Sequence, residues 1–136
     1  MSTGVQKLEV PINPDANGCL GIIEFESLDF VPQRIYWLSD IPQGGVRGRH
    51  AHKSLRQIFV LMQGSMSIEI FQGSNKTLYE LKSRGESLVI PPGLWRNIHN
   101  ASADAILLVL CDQSYREEDY IRDFNDYLTW CGQNDA

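Results

Sequence analysis

Short apolar runs separated by turn signals dominate this chain. Leu20 to Phe25, Arg34 to Leu38, Gln57 to Met62, Ser65 to Phe71, Lys76 to Leu81, Ser87 to Ile90 and Ala105 to Cys111 are rich in Ile, Val, Leu and aromatic residues. Their composition and brevity predict β-strands. Within Ser65 to Ile70, strict alternation places Met66, Ile68 and Ile70 on one face. Asn17-Gly18, Gln43-Gly44-Gly45, Gln63-Gly64, Gln72-Gly73 and Pro91-Pro92-Gly93 punctuate the runs. Strands at this spacing predict an antiparallel sandwich or barrel. The pattern changes near the C-terminus, where Tyr120, Ile121, Phe124, Tyr127 and Leu128 recur at helical spacing. A short helix over residues 115–130 is expected there, its aromatic stripe serving as packing.

With 136 residues, 43% hydrophobic and 21% charged, the composition is that of a globular chain and the length suits one domain over 1–136. No apolar run approaches the roughly 18–20 residues that span a bilayer, and the first ten residues lack the apolar core of a secretory signal. Cys19, Cys111 and Cys131 have no CxxC spacing and read as reduced thiols, which places the protein in the cytoplasm. The net charge of −5 is unevenly spread. Residues 112–136 carry seven acids and two bases, while residues 1–111 balance. Between Asp40 and Glu69 there is no acid, only Arg47, Arg49, Lys53 and Arg56 with His50 and His52. A single basic island disfavours nucleic-acid binding and suits a small anionic ligand.

His50-Ala51-His52 puts two imidazoles on one face of an extended strand. Gly44, His50, His52, position 57 and Gly64 follow the spacing G-x5-H-x-H-x(3,4)-E-x6-G. Gly85, Pro91, Gly93, position 96 and Asn100 follow G-x5-P-x-G-x2-H-x3-N. These two motifs resemble those of the cupin superfamily, and the resemblance implies an all-β double-stranded β-helix, the cupin jelly roll, with a short C-terminal helix. Metal-binding cupins have Glu and His where this chain has Gln57 and Arg96. Guanidinium offers a cation no lone pair, so no metal is expected. His99 is displaced from the ligand position and reads as structural. In such a site the nearby Arg47, Arg49, Lys53 and Arg96 would keep imidazole neutral and able to act as a base, and could stabilise an oxyanion. That combination suits proton abstraction beside a carbonyl, with one histidine serving carbon and the other oxygen.

Arg47-Gly48-Arg49-His50-Ala51-His52-Lys53 with Leu55-Arg56-Gln57 further resembles the RGxHAHKxxxQ signature of sugar-nucleotide 3,4-ketoisomerases. Asp15 to Leu20, Arg34 to Trp37 and Tyr115 to Arg122 resemble three flanking elements of that family. The resemblance implies a cofactor-free enzyme acting on a dTDP-linked 4-keto-6-deoxyhexose in deoxy-amino-sugar synthesis for surface glycans. It makes His50 and His52 the acid/base pair and Tyr36, Arg47, Lys53, Gln57, Arg96 and Asn17 the substrate contacts. It implies a homodimer, with Val5 to Val10 as a strand open to exchange, and a gluco product is expected. The alternatives are a 3,5-epimerase-like deoxysugar enzyme and a non-catalytic sugar-nucleotide-binding cupin.

Overall fold

The computed structural model describes residues 3–134. Twelve strands are β1 (Gln6–Glu9), β2 (Ile12–Asp15), β3 (Gly18–Gly21), β4 (Arg34–Leu38), β5 (Arg47–His52), β6 (Gln57–Gln63), β7 (Met66–Gln72), β8 (Asn75–Leu81), β9 (Glu86–Ile90), β10 (Trp95–His99), β11 (Ile106–Cys111) and β12 (Tyr120–Ile121). The helix α1 (Phe124–Asn134) follows. The expected jelly-roll architecture holds: two five-stranded antiparallel sheets, ordered β1-β9-β6-β11-β4 and β12-β5-β10-β7-β8, face each other, and β2-β3 form a separate hairpin.

Between the sheets lies a core of Phe59, Leu61, Ile68, Ile70, Leu88, Ile90, Ile98, Leu107 and Val109. Period-2 alternation explains it, since β6 and β11 contribute every second residue. The register then layers the interior. Leu107 stands opposite Leu61 and Leu38, Val109 opposite Phe59 and Tyr36, and Cys111 opposite Gln57 and Arg34. Moving along these strands, the interior therefore passes from aliphatic to polar, and the polar end holds the site.

Two expectations are corrected. Residues 22–25 leave the sheet, and Phe25–Ser27 form a 3-10 turn instead of continuing a strand. The helix begins at Phe124 and not at residue 115: Glu117–Asp119 is a 3-10 turn and Tyr120–Ile121 pairs with β5. The reason is tertiary, because Tyr120 and Ile121 gain backbone partners in β5 that a helix would forgo. In α1, Tyr127 is fully buried and packs with Trp95, Ala51 and Ile121. Thus α1 covers the outer face of β5 at Ala51, whose neighbours His50 and His52 point inward. The strand at Gln6–Glu9 pairs with β9 of its own chain.

Candidate active site

A bulge sets the direction of the side chains on β5. Arg96 of β10 pairs with His50 and Asn97 with Gly48, so Arg49 is the extra residue. Gly48 and Arg49 both have positive φ, 81° and 58°. Arg47 and His50, three residues apart, would face opposite sides of a regular strand. The bulge reverses the alternation between them, and both line one cavity of about 500 Å³ while Arg49 faces the outer surface. Arg34, Tyr36 and Trp37 from β4, Arg96 from β10, and Tyr120 and Arg122 complete the wall.

His50 and His52 rings meet edge to face with centroids 4.8 Å apart. The Tyr120 ring lies 5.0 Å from one and 4.4 Å from the other. His50 Nδ1 is 2.9 Å from the Gly48 carbonyl oxygen, to which it donates, and His52 Nδ1 is 3.0 Å from Asp119 Oδ2. The two Nε2 atoms are buried and have no hydrogen-bond partner among the described residues. Burial, then the Arg96 charge, lowers the His50 pKa to about 4. Burial, Arg96 and His50 likewise push His52 down, against the opposing pull of Asp119. Both imidazoles are therefore neutral at physiological pH. The expected outcome thus has a different leading cause: desolvation exceeds the effect of any neighbouring cation.

Arg96 is the largest fully buried side chain, 1% exposed. Its Nη1 donates to Gln57 Oε1 and its Nη2 to the Leu94 carbonyl oxygen at 3.1 Å. Gln57 Nε2 in turn approaches the Tyr36 hydroxyl at 3.3 Å and Cys111 Sγ at 3.4 Å. Among the described residues Arg96 has no carboxylate at ion-pair distance. Burial lowers its pKa to about 10, leaving it cationic at neutral pH. Because Arg96 takes the Gln57 oxygen, the two imidazoles are left without a third firm ligand. No group of three His, Cys, Asp or Glu side chains among the described residues is arranged to hold a metal ion.

Of the expected site residues, His50, Tyr36, Arg47 and Arg96 line the cavity, and His52 and Gln57 adjoin it through Tyr120 and Arg96. Lys53 does not: it follows inward-facing His52 past the end of β5 and is exposed, its backbone N–H donating to the Asp119 carbonyl. Asn17 does not either. It sits in the exposed β2-β3 turn, its N–H donating to Asp15 Oδ1 at 2.7 Å, as turn chemistry requires. His99 projects to the outer surface, 3.7 Å from Glu69.

Residues that the sequence reasoning passed over include Arg34, Asp119, Tyr120 and Arg122. Arg34 stacks over Tyr36 and Tyr115 at 4.9 and 5.3 Å, with one buried guanidinium nitrogen unpartnered among the described residues. Arg122 lies 4.1 Å over the Tyr120 ring and grips Glu117 through two bonds of 2.8 and 2.9 Å. These bonds hold the Glu117 carboxyl down at about 2. The signal was the Tyr115 to Arg122 element, which reading as a helix concealed.

The family described as "FdtA: WxcM-like, C-terminal" matches residues 3–131. A TDP-4-oxo-6-deoxy-alpha-D-glucose-3,4-oxoisomerase of Aneurinibacillus thermoaerophilus is 32% identical over 83% of this chain and 82% of its own. A 3,4-ketoisomerase from Helicobacter canadensis superposes with a TM-score of 0.90 at 32% identity, covering 96% of this chain and 99% of that one. A mutant of the 3,4-ketoisomerase QdtA from Thermoanaerobacterium thermosaccharolyticum, solved in complex with TDP-4-keto-6-deoxyglucose, gives 0.91 at 28% identity, covering 98% and 97%. With a match of this extent and relatives this similar over nearly their whole length, the chain belongs to the FdtA family and is a sugar-nucleotide 3,4-ketoisomerase.

Proposed function

We propose that this ketoisomerase acts on dTDP-4-keto-6-deoxyglucose and moves the ketone from C4 to C3 through an enediol, with His50 and His52 as the acid/base pair. The observation that carries the reading is the placement of two neutral imidazoles, each with an unpartnered Nε2, beside an unpaired guanidinium. His50, which lines the cavity, takes the proton from C3. The electron pair left on carbon moves toward the C4 oxygen, where Arg96 stabilises the developing charge. His52 passes the C3 hydroxyl proton across to the C4 oxygen side, and the His50 imidazolium returns its proton to C4. Every proton taken is given back, so no redox partner or metal is needed.

At the mouth, Arg34 and Arg47 suit a diphosphate, because guanidinium grips phosphate oxygens bidentately, whereas the Arg122 fork is taken up by Glu117. The relative bound to the TDP-linked sugar supports that class of substrate. Lys53 and Asn17, which lie away from the cavity, are not assigned a contact with substrate bound to the same chain. The gluco configuration at C4 is our reading of the product, which a transaminase would convert to an amino sugar for surface glycans. We read the protein as a cytoplasmic homodimer. The edge position of β1 and the exposed Ile35 and Trp37 on edge strand β4 support a partner. No helix among the described residues is long and apolar enough to cross a membrane.

The test is incubation with dTDP-4-keto-6-deoxyglucose in heavy water, followed by NMR. Deuterium at C4 of a new 3-keto sugar is expected, and the H4–H5 coupling reports its configuration. Ring protons left untouched would make the protein a binder. Exchange at C5 would make it epimerase-like. Activity lost to a chelator and restored by zinc, iron or manganese would overturn metal independence.

A further inference from the structure

Asp119 does not line the cavity, yet it is bonded to the segment that carries His52. Its Oδ2 lies 3.0 Å from His52 Nδ1 and accepts from the Leu55 N–H at 3.3 Å. Its Oδ1 accepts from the Ser54 N–H at 2.8 Å and the Ser54 hydroxyl at 2.6 Å. The short strand β12 sets this up: Tyr120 pairs with His52, and the Lys53 N–H donates to the Asp119 carbonyl at 3.0 Å. Burial opposes ionisation of Asp119, but the Ser54 and His52 hydrogen bonds hold its carboxyl below the ordinary value. A carboxylate is acceptor only, so the imidazole nitrogen facing it must carry the hydrogen. The lone pair is then on Nε2, the atom with no partner. His50 reaches the same tautomer through a neutral carbonyl, that of Gly48. Of the two imidazoles, His52 alone is bonded to a countercharge.

We propose that Asp119 is a positioning residue that locks His52 in the Nδ1–H tautomer and balances its charge while it carries a proton between the two substrate oxygens. The inference rests on the ketoisomerase reading above. It separates the two histidines: His50 moves the carbon-bound proton with a neutral carbonyl at its Nδ1, and His52 moves the oxygen-bound proton with a carboxylate at its own.

Ring-nitrogen-labelled protein, observed by long-range proton–nitrogen NMR at neutral pH, reports each tautomer directly. Wild-type His52 should be protonated on Nδ1. Asp119→Asn should populate the Nε2–H form and lower kcat roughly a hundredfold while KM stays within about twofold, because the side chain does not touch substrate. Asp119→Glu should restore the Nδ1–H signal and part of kcat, and it remains informative if the Asn variant folds poorly. An Nε2–H form in the wild type, or an Asn variant with unchanged tautomer and unchanged kcat, overturns the proposal. Failure of the wild type to convert the keto sugar would sink the substrate reading, while the tautomer spectra still decide whether Asp119 controls His52.

Discussion

Arg96 donates to the amide oxygen of Gln57, where an acidic residue would have closed a buried ion pair. A neutral partner accepts one hydrogen bond from the guanidinium and leaves its charge uncompensated, while the buried Nε has no partner among the described residues. Such a cation is costly to bury, and the cost is not relieved by any carboxylate among the described residues. It leaves a positive potential on the cavity wall, beside the imidazoles, available to an oxyanion that forms only during turnover.

Gln57→Glu should therefore move stability and activity in opposite directions. The new carboxylate pairs with Arg96 and should raise Tm, while kcat should fall about 10²–10³-fold, the usual effect of losing one oxyanion donor. Differential scanning calorimetry and steady-state kinetics on the same preparation check both. A variant that is more stable and fully active would remove Arg96 from the charge-stabilising role.

His50→Asn and His52→Asn should each lower kcat by roughly two to four orders of magnitude, the range for loss of general acid/base catalysis. The two should differ in exchange. Without His50 the C3 proton should no longer wash out into heavy water. Without His52 that exchange should persist while 3-keto product fails to accumulate. Full turnover in both variants would dismiss the imidazoles as proton carriers.

The two inward histidines and the substitutions at Gln57 and Arg96 were legible in the chain because they depend on spacing along single strands. Strands such as Arg34–Leu38 were equally plain, since alternation and turn residues lie within one segment. What escaped depended on contacts between distant segments. Asp119 meets His52 across 67 residues. Tyr120 has helical spacing with Phe124 and Tyr127, yet its backbone is claimed by β5. The bulge at Gly48–Arg49, which turns Arg47 into the cavity and Arg49 out, changes the alternation that a strict two-residue period would predict. Lys53 looked like a partner of the histidines by adjacency, but its neighbour His52 already occupies the inward position.

The lowered His50 pKa gives a pH signature. Between about 4 and an unperturbed value near 6.5, the unfolded chain binds a proton that the folded chain does not. Stability should thus be full above 6.5 and decline as pH falls toward 4, by up to about 3 kcal/mol from this group. His52, shifted in the same direction, adds to the loss. Urea titrations across this window test the slope. The acid limb of kcat/KM, measured where circular dichroism still reports folded protein, should lie well below 6.5, and a limb at 6.5 would contradict burial as the controlling effect.

Tyr127 anchors α1 to the barrel. Its hydroxyl lies 2.9 Å from the Phe71 and Gly93 carbonyl oxygens and accepts from the Gly73 N–H at 3.1 Å. Tyr127→Phe strands these groups and should cost about 1–3 kcal/mol. Since α1 meets the outer face of β5 and not the cavity, kcat at a temperature well below Tm should stay near wild type. A large loss of kcat in a folded variant would show that the helix tunes the histidines through Ala51.

Gly48 is the residue on which the inward turn of Arg47 and His50 depends. Its φ of +81° is strained for any L side chain, and a Cβ there would meet the Arg96 carbonyl oxygen at 3.0 Å and Arg96 Cγ at 3.3 Å. Gly44 shares the φ of +81° but has open space around its Cβ position, so Gly44→Ala isolates the backbone strain. That control should lose about 1 kcal/mol and keep its activity. Gly48→Ala should lose more, because the Arg96 backbone or the bulge must yield. It should also lower kcat, because the Gly48 carbonyl that orients His50 Nδ1 moves with it. Thermal unfolding and turnover of the two variants side by side separate strain from displacement. Equal effects from both would mean that the bulge can relax without moving His50.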